Sequence, residues 1–254
     1  MTYFLAWSKD LKTRTMATSG GFTKEVLKYA LVSGYVDYLV FPIMEGTKPR
    51  VVVTQDYEDL MTPRSNSVYL PISSLRGLRE VPEGATCATT LLPCHAMLPR
   101  SPKIKLMIEL LCNCTPTKNY LHGILEKMGI PEESVLDFAF RSGTWPGSVL
   151  VVTAQGTFTY PYGWDNDISE EYKAPEACRR CGRIERTGDF IVGDPWELEK
   201  HGTPGKTMVH ATTSEALSLM SGANIEYTPI LEADWGKSVA FHNKLKRARN
   251  ENFR

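Results

Sequence analysis

Cysteine carries most of the chemical potential of this chain, and its six copies are unevenly spaced. Cys178 and Cys181 form a Cys-x-x-Cys pair in a polar loop bounded by Pro175 and Gly182. Two thiolates at that spacing converge on one metal or cluster because the chain turns between them. A tetrahedral site needs two more. Cys94 follows Leu91-Leu92-Pro93 and Cys112 follows Ile108-Glu109-Leu110-Leu111. Each is expected where a buried strand ends, the edge at which α/β folds present functional groups. Cys114 is the alternative to Cys112, and Cys87, inside an expected strand, reads as a small buried hydrophobe. The pair is compatible with structural zinc, a redox dithiol or an iron-sulfur cluster. It lacks the strand-then-helix setting of a thioredoxin-like motif, which argues against the dithiol. Spacing does not separate zinc from a 4Fe-4S cluster, since both accept four thiolates.

Two glycine loops offer a second chemistry. Thr18-Ser19-Gly20-Gly21 precedes a helical pattern and resembles a phosphate cradle, in which glycines let the backbone approach an anion at a helix N-terminus. The alternative is a simple helix start with Ser19 as the capping residue. The second loop runs from Gly193-Asp194-Pro195-Trp196 to Gly205-Lys206-Thr207. Lys206 beside Thr207 suits a phosphate, or else a solvated turn. Asp194 suits a ribityl or ribose hydroxyl, or else caps a turn. Arg141-Ser142-Gly143-Thr144-Trp145-Pro146-Gly147 reads either as a pocket that stacks a ring system or as a hairpin turn with Trp145 packed on the core. The five histidines have no metal spacing and no nucleophile partner, so no chemistry is assigned to them.

The elements that must position these residues follow an α/β order. A strand over Tyr3–Trp7 precedes a polar turn and a helix carrying Phe22, Val26, Leu27, Ala30 and Leu31 at helical spacing, closed by Gly34. Strands are expected over Val36–Pro42, Arg50–Thr54, Ala85–Leu92 and Lys105–Cys112, with a polar turn over Ser65–Pro71 and a short helix over Ile72–Arg79. A helix over Asn119–Met128 ends at Gly129. Val135–Phe140, Ser148–Thr153 and Gly156–Tyr160 read as strands, the last two as a hairpin. Short strands over Phe190–Val192 and Thr207–Ala211 precede a helix over Ser214–Ser221. The tail from Lys237 is a basic amphipathic helix or partly disordered, and its Lys237, Lys244, Lys246, Arg247 and Arg249 form a solvated face or dock a partner.

The 254 residues contain 29 basic and 29 acidic side chains, so net charge suggests neither a nucleic-acid nor a membrane partner. No apolar run reaches the roughly 18–20 residues of a membrane span. Met1–Leu11 carries Lys and Asp early and has no apolar h-region, which argues against a signal peptide. A cytoplasmic location is expected, where cysteines serve as ligands or reactive thiols more than as disulfides. No repeat or low-complexity linker interrupts the chain. One mixed α/β (α+β) domain over 1–254 is expected, with a cluster-binding segment at about 166–190.

Taken in order, the motifs resemble one family. They are Ser19-Gly20-Gly21-Phe22 with its helix and Gly34-Tyr35-Val36-Asp37; Leu92-Pro93-Cys94-His95; Leu110-Leu111-Cys112 ahead of Pro116; and Gly143-Thr144-Trp145-Pro146-Gly147. They continue with Cys178-Arg179-Arg180-Cys181, Val192-Gly193-Asp194-Pro195-Trp196 and Gly205-Lys206-Thr207. Over roughly the whole chain this set is similar to the coenzyme F420 hydrogenase/dehydrogenase beta-subunit family. The resemblance implies FAD and one 4Fe-4S cluster on a mixed α/β core. It maps the cluster ligands to Cys94, Cys112, Cys178 and Cys181. It maps flavin contacts to Ser19, Gly20, Gly21, Asn66, Ser67, Tyr69, Asp194 and Thr207; Lys206, in the matching Gly205-Lys206-Thr207 stretch, joins them as the phosphate contact read above from its own loop. The implied function is an oxidoreductase subunit moving electrons between the cluster, FAD and coenzyme F420, inside a hetero-oligomer. Two alternatives stand: the same cofactors serving another acceptor with ferredoxin as donor, and a zinc-stabilised interaction subunit without redox chemistry. The chain lacks the N-terminal ferredoxin-like extension of some relatives, which implies that further clusters come from a partner subunit or ferredoxin. Its Gly-Thr-Trp-Pro-Gly segment looks more like relatives outside the hydrogenase branch.

Overall fold

Alternating burial defines the first strand: in β1 (Tyr3–Ser8), Phe4, Ala6 and Ser8 are buried while the residues between them are partly exposed. The computed structural model describes residues 2–161, 168, 170–182 and 186–251. Seven more strands join β1 in one sheet. Four of these are β2 (Tyr38–Glu45), β3 (Lys48–Thr54), β4 (Cys87–Leu91) and β5 (Ile104–Leu110). The others are β9 (Phe190–Gly193), β10 (Thr207–Ala211) and β11 (Ile225–Pro229). The order is β11-β1-β10-β9-β5-β4-β2-β3. Its centre, β9-β5-β4-β2, is parallel, and the flanking pairings are antiparallel. A separate meander is formed by β6 (Val135–Ser142), β7 (Ser148–Thr153) and β8 (Gly156–Pro161), with Thr153 opposite Gly156 across the expected hairpin.

Helices cover the sheet where their apolar stripes require it. α2 (Phe22–Val32) buries Phe22, Val26, Leu27 and Ala30, and α7 (Ser214–Gly222) buries Ala216, Leu219 and Met220, in one core with Phe4, Phe41, Ile108 and Phe190. A 3₁₀ turn over Ser74–Arg79 and the short α3 (Pro93–Ala96) belong to a smaller core with Val40, Leu91 and Met107. α4 (Lys118–Met128) buries Tyr120, Leu121, Ile124 and Leu125 against Phe138, Phe140, Val149 and Val151 of the meander. α5 (Glu170–Lys173) and α6 (Glu176–Arg179) lie in the expected cluster-binding segment, of which residues 166, 167, 169 and 183–185 fall outside the described residues.

Several elements differ from their expected form. The polar turn after β1 is a helix, α1 (Leu11–Met16), started by Asp10, whose carboxylate accepts from Lys12 N and Thr13 N at 3.3 and 3.0 Å. The helix over Ile72–Arg79 is a 3₁₀ turn that begins at Ser74. The strands expected to end at Leu92 and Cys112 stop at Leu91 and Leu110, and Cys94 sits on α3. Cys87 is buried at the start of β4, as expected, and burial pushes its thiol up to about 11. The tail helix, α8 (Glu232–Glu251), starts five residues before Lys237 and forms an unbroken helix of 20 residues; the side chains of Lys246, Arg247 and Arg249, and residues 252–254, lie outside the described set.

The two glycine loops meet. Gly20 has φ +85°, and a Cβ there would lie 2.7 Å from Lys206 Cα. Only a residue without a side chain permits that approach in that backbone region. Gly20→Ala therefore adds a backbone clash to left-handed strain, whereas Gly34→Ala, at φ +69° with nothing within 4 Å, meets strain alone. We expect Gly34→Ala to cost about 1 kcal/mol and Gly20→Ala at least ~2 kcal/mol more. Urea midpoints at unchanged m-value check the difference.

Candidate functional site

The carboxyl ends of β4, β5 and β9 open into a cavity of about 330 Å³, within the range of small-ligand pockets. Its floor includes Leu91, Leu110, Leu111 and Gly193, and its walls come from the first turn of α2, the Ser65–Leu70 segment and His242 of α8. Ser19, Gly21, Asn66, Ser67, Tyr69, Asp194 and Thr207 all line it. The fold thus brings together seven residues from three distant stretches of sequence.

Gly21, with φ +81°, starts α2 without a side-chain cap, so Ser19 is not the capping residue. Its carbonyl instead accepts from the Thr207 hydroxyl, tying the first glycine loop to the second. Gly20 lies behind the wall, packed on the Lys206–Thr207 backbone. Lys206 also lies outside the lining; its Nζ pairs with Glu199 at 2.7 Å and stands 5.3 Å from the Trp7 ring centroid. An anion in the cavity would meet the first turn of α2, whose backbone N–H groups carry the positive end of the helix dipole.

Lys24 in that first turn is 4% exposed. Its Nζ donates to Leu60 O at 2.7 Å, Thr62 O at 2.9 Å and the Ser65 hydroxyl. Burial pushes its ammonium down to about 7. Sequence reading missed this residue. A lysine between Phe22 and Val26 in an apolar helix start was the available signal, but such a side chain usually reaches solvent.

The same lining holds a buried ion pair. Arg141 Nη1 donates to Asp194 Oδ2 at 2.5 Å and Nη2 to Oδ1 at 3.3 Å. Arg141 also donates to Tyr69 Oη at 3.1 Å and to Pro146 O at 2.6 Å, and Trp145 Nε1 donates to Asp194 Oδ1 at 3.4 Å. Burial pushes the Asp194 carboxyl up, but Arg141 and these hydrogen bonds outweigh it and hold the group below its ordinary 3.8. The carboxylate is committed to Arg141 and Trp145 instead of capping a turn. Trp145, at 1% exposure, is core beside Trp196 and does not line the cavity, so in its segment Arg141 is the wall residue.

Four buried polar atoms belonging to wall residues have no hydrogen-bond partner among the described residues: Asn66 Oδ1, His95 Nδ1, Asn113 Oδ1 and His242 Nδ1. Leaving such groups unpaired costs about 1–3 kcal/mol each, a cost that a polar ligand offsets. Asn66 is held by its own amide, whose Nδ2 donates to Met16 O at 2.8 Å and Arg141 O at 2.7 Å.

The cysteines adjoin this cavity. Cys112 and Cys114 line it. Arg186 lies within electrostatic reach of Cys112, Cys181 and Glu109, and its guanidinium is pulled down by burial against their opposite effect. The neighbouring Thr187 hydroxyl donates to Ala96 O at 3.1 Å, which ties α3 and its exposed Cys94 to the same region. Cys178 Sγ lies 4.0 Å from Thr115 O, and Cys114 Sγ 3.2 Å from Lys173 O. Among the described residues no three His, Cys, Asp or Glu side chains stand close enough to hold a metal ion. The four expected ligands are therefore brought to one region from three segments without closing on a common point. Cys178 turns toward a backbone carbonyl instead. As a donor set, four thiols suit either zinc or a 4Fe-4S cluster.

A parallel sheet centre with a ligand-sized cavity at its carboxyl edge makes the chain an α/β protein whose cavity lies where open α/β sheets generally bind ligands. Residues 3–79 match the N-terminal part of the coenzyme F420 hydrogenase/dehydrogenase beta subunit, and residues 82–232 match its C terminus. The chain belongs to the coenzyme F420 hydrogenase/dehydrogenase beta-subunit family, a family of oxidoreductase subunits. It shares its fold with a chain of the F420-reducing [NiFe] hydrogenase complex from Methanosarcina barkeri, with TM-score 0.72 and 18% identity over 99% of this chain and 90% of that one. Comparison with curated proteins gives no match. Among the described residues no helix is long and apolar enough to cross a membrane.

Removing one partner of the buried pair leaves the other charge uncompensated, so Asp194→Asn and Arg141→Met should each cost about 3–5 kcal/mol, and the double variant less than their sum. Because the folded-state value of Asp194 lies below 3.8, its contribution is complete above about pH 5 and is lost as pH falls below ~4. Stability measured by urea unfolding across pH 3–7 should fall less steeply on the acid side in Asp194→Asn than in the wild type.

Proposed function

We propose that the chain is the flavin- and cluster-bearing subunit of a cytoplasmic oxidoreductase, exchanging electrons with coenzyme F420 and with a partner subunit or ferredoxin. The observation that carries this reading is one cavity lined by seven residues of the two glycine loops and the Asn66–Tyr69 turn, with Cys112 and Cys114 in its lining. The unpartnered polar atoms of its wall fit a polar ring ligand such as FAD. Of the two candidates for one ligand position, Cys114 lies 3.2 Å from the Lys173 carbonyl while Cys112 shares electrostatic reach of Arg186 with Cys181, which favours Cys94, Cys112, Cys178 and Cys181 as the cluster set.

A bound flavin supplies a centre that couples two-electron hydride chemistry to the one-electron chemistry of a cluster. The chain's own residues do the positioning. Gly21 and the first turn of α2 would offer N–H groups to a phosphate of the bound group. Asn66 and Tyr69, which line the cavity, would help hold the bound group, and Arg141 holds Tyr69 and Asp194 in place. Lys24 brings a cationic group of lowered proton affinity into the wall, and Leu110, Leu111 and Phe41 exclude water. No side-chain acid or base is required at the reacting atom.

Anaerobically purified protein should show flavin absorbance with a broad cluster shoulder, both bleached by reduced F420. Cofactor bands indifferent to F420 would move the function to another acceptor, with ferredoxin as donor. A colourless protein containing zinc in place of iron and sulfide would make it a non-redox interaction subunit. Cys178→Ser should abolish the cluster shoulder while the flavin bands persist; a full shoulder in that variant would remove Cys178 from the ligand set.

A further inference from the structure

His242, in the middle of α8, is 7% exposed and lines the cavity. Its Nε2 lies 3.2 Å from the main-chain carbonyl of Asp194. A carbonyl oxygen only accepts, so Nε2 must carry the hydrogen and, in the neutral ring, Nδ1 is left with a bare lone pair. Burial pushes the imidazolium down, as do Arg186 and Arg141, against the upward pull of the Asp194 carboxylate and carbonyl. The ring is neutral near pH 7. Nδ1 is one of the buried atoms with no partner among the described residues.

The ring is held where it stands. Ser238 Oγ, one turn earlier on α8, donates to the same Asp194 carbonyl at 3.2 Å, and Phe241 lies against Trp196 at 5.6 Å between ring centroids. Asn66, across the Arg141–Asp194 pair, repeats the logic. Both of its amide hydrogens go to carbonyls, which leaves Oδ1 as an unpartnered acceptor. Two acceptors fixed by elimination, on either side of one neutralised ion pair, call for hydrogen-bond donors on the ligand.

We propose that His242 is a binding residue of this cavity, its Nδ1 accepting a hydrogen bond from an N–H or hydroxyl group of the flavin nucleotide. The inference rests on the flavin reading above and adds to it a contact from the C-terminal helix. Oxidised FAD carries donors of both kinds, a ring imide N–H and ribityl hydroxyls.

Two substitutions separate the nitrogens. His242→Gln keeps a donor near the Nε2 position, and with it the link to Asp194, but lacks an acceptor at Nδ1. His242→Asn keeps an acceptor near the Nδ1 position and loses the link. FAD dissociation constants are measured by fluorescence quenching on refolded, full-length apoprotein, with circular dichroism as the check on folding. His242→Gln should bind about tenfold more weakly than the wild type, the size of one buried hydrogen bond, and His242→Asn within about threefold of it. Equal affinity in wild type and His242→Gln overturns the proposal. So does weakened binding confined to His242→Asn, which would make His242 a structural anchor of α8. Wild-type protein that takes up no FAD contradicts the flavin reading itself, an outcome distinct from either.

Discussion

The Arg141–Asp194 ion pair is the interaction on which the arrangement of the site depends. Arg141 comes from the end of β6 in the three-stranded meander, and Asp194 from the residue after β9 in the large sheet. Three further segments attach to the same pair. Tyr69 and Asn66 bring in the connection after β3, Pro146 the turn of the meander, and Ser238 and His242 the C-terminal helix. A charge buried this deeply is tolerated when its partner and its remaining hydrogen bonds are all supplied, which fixes the relative position of each supplier. Asn66, Tyr69 and His242 among these suppliers form part of the cavity wall.

That constraint also sets the polarity of the cavity. Asp194 is spent on Arg141, so the carboxylate offers a ligand little net charge. What remains in the wall is a set of neutral acceptors, the N–H groups at the start of α2 and the partly neutral Lys24. Such a wall suits an uncharged heterocycle with a phosphate-bearing tail. The apolar residues at the ends of β5 and β9 complete a low-dielectric floor, with Cys112 and Cys114 in the same lining.

Local signals in the sequence were reliable where local physics decides the structure. Helical spacing gave α2 and α4 nearly to the residue, and Gly34 and Gly129 marked their ends. The hairpin of β7 and β8 was legible from its strand patterns. α1 was misread because its start depends on one Asp10 carboxylate cap and its six residues carry little apolar pattern. β11 was missed because its outer residues are exposed at a sheet edge. The site was legible in part. Seven of nine residues expected to bind a cofactor share the cavity, whereas Gly20 serves loop packing and Lys206 pairs with Glu199. Lys24 and His242 escaped because nothing within a few residues of either predicts burial; their partners lie 36 to 48 positions away. The pairing of Asp194 with Arg141, 53 positions apart, was hidden for the same reason.

The central claim is that one cavity, organised by this ion pair, holds the flavin with the cysteine segments at its edge. A crystal structure of protein purified anaerobically and saturated with FAD tests it most directly. The account predicts flavin density inside the cavity, bounded by Gly21, Asn66, Tyr69 and His242, and iron anomalous signal among Cys94, Cys112, Cys178 and Cys181. Flavin bound outside that cavity, or iron held by other residues, would contradict it.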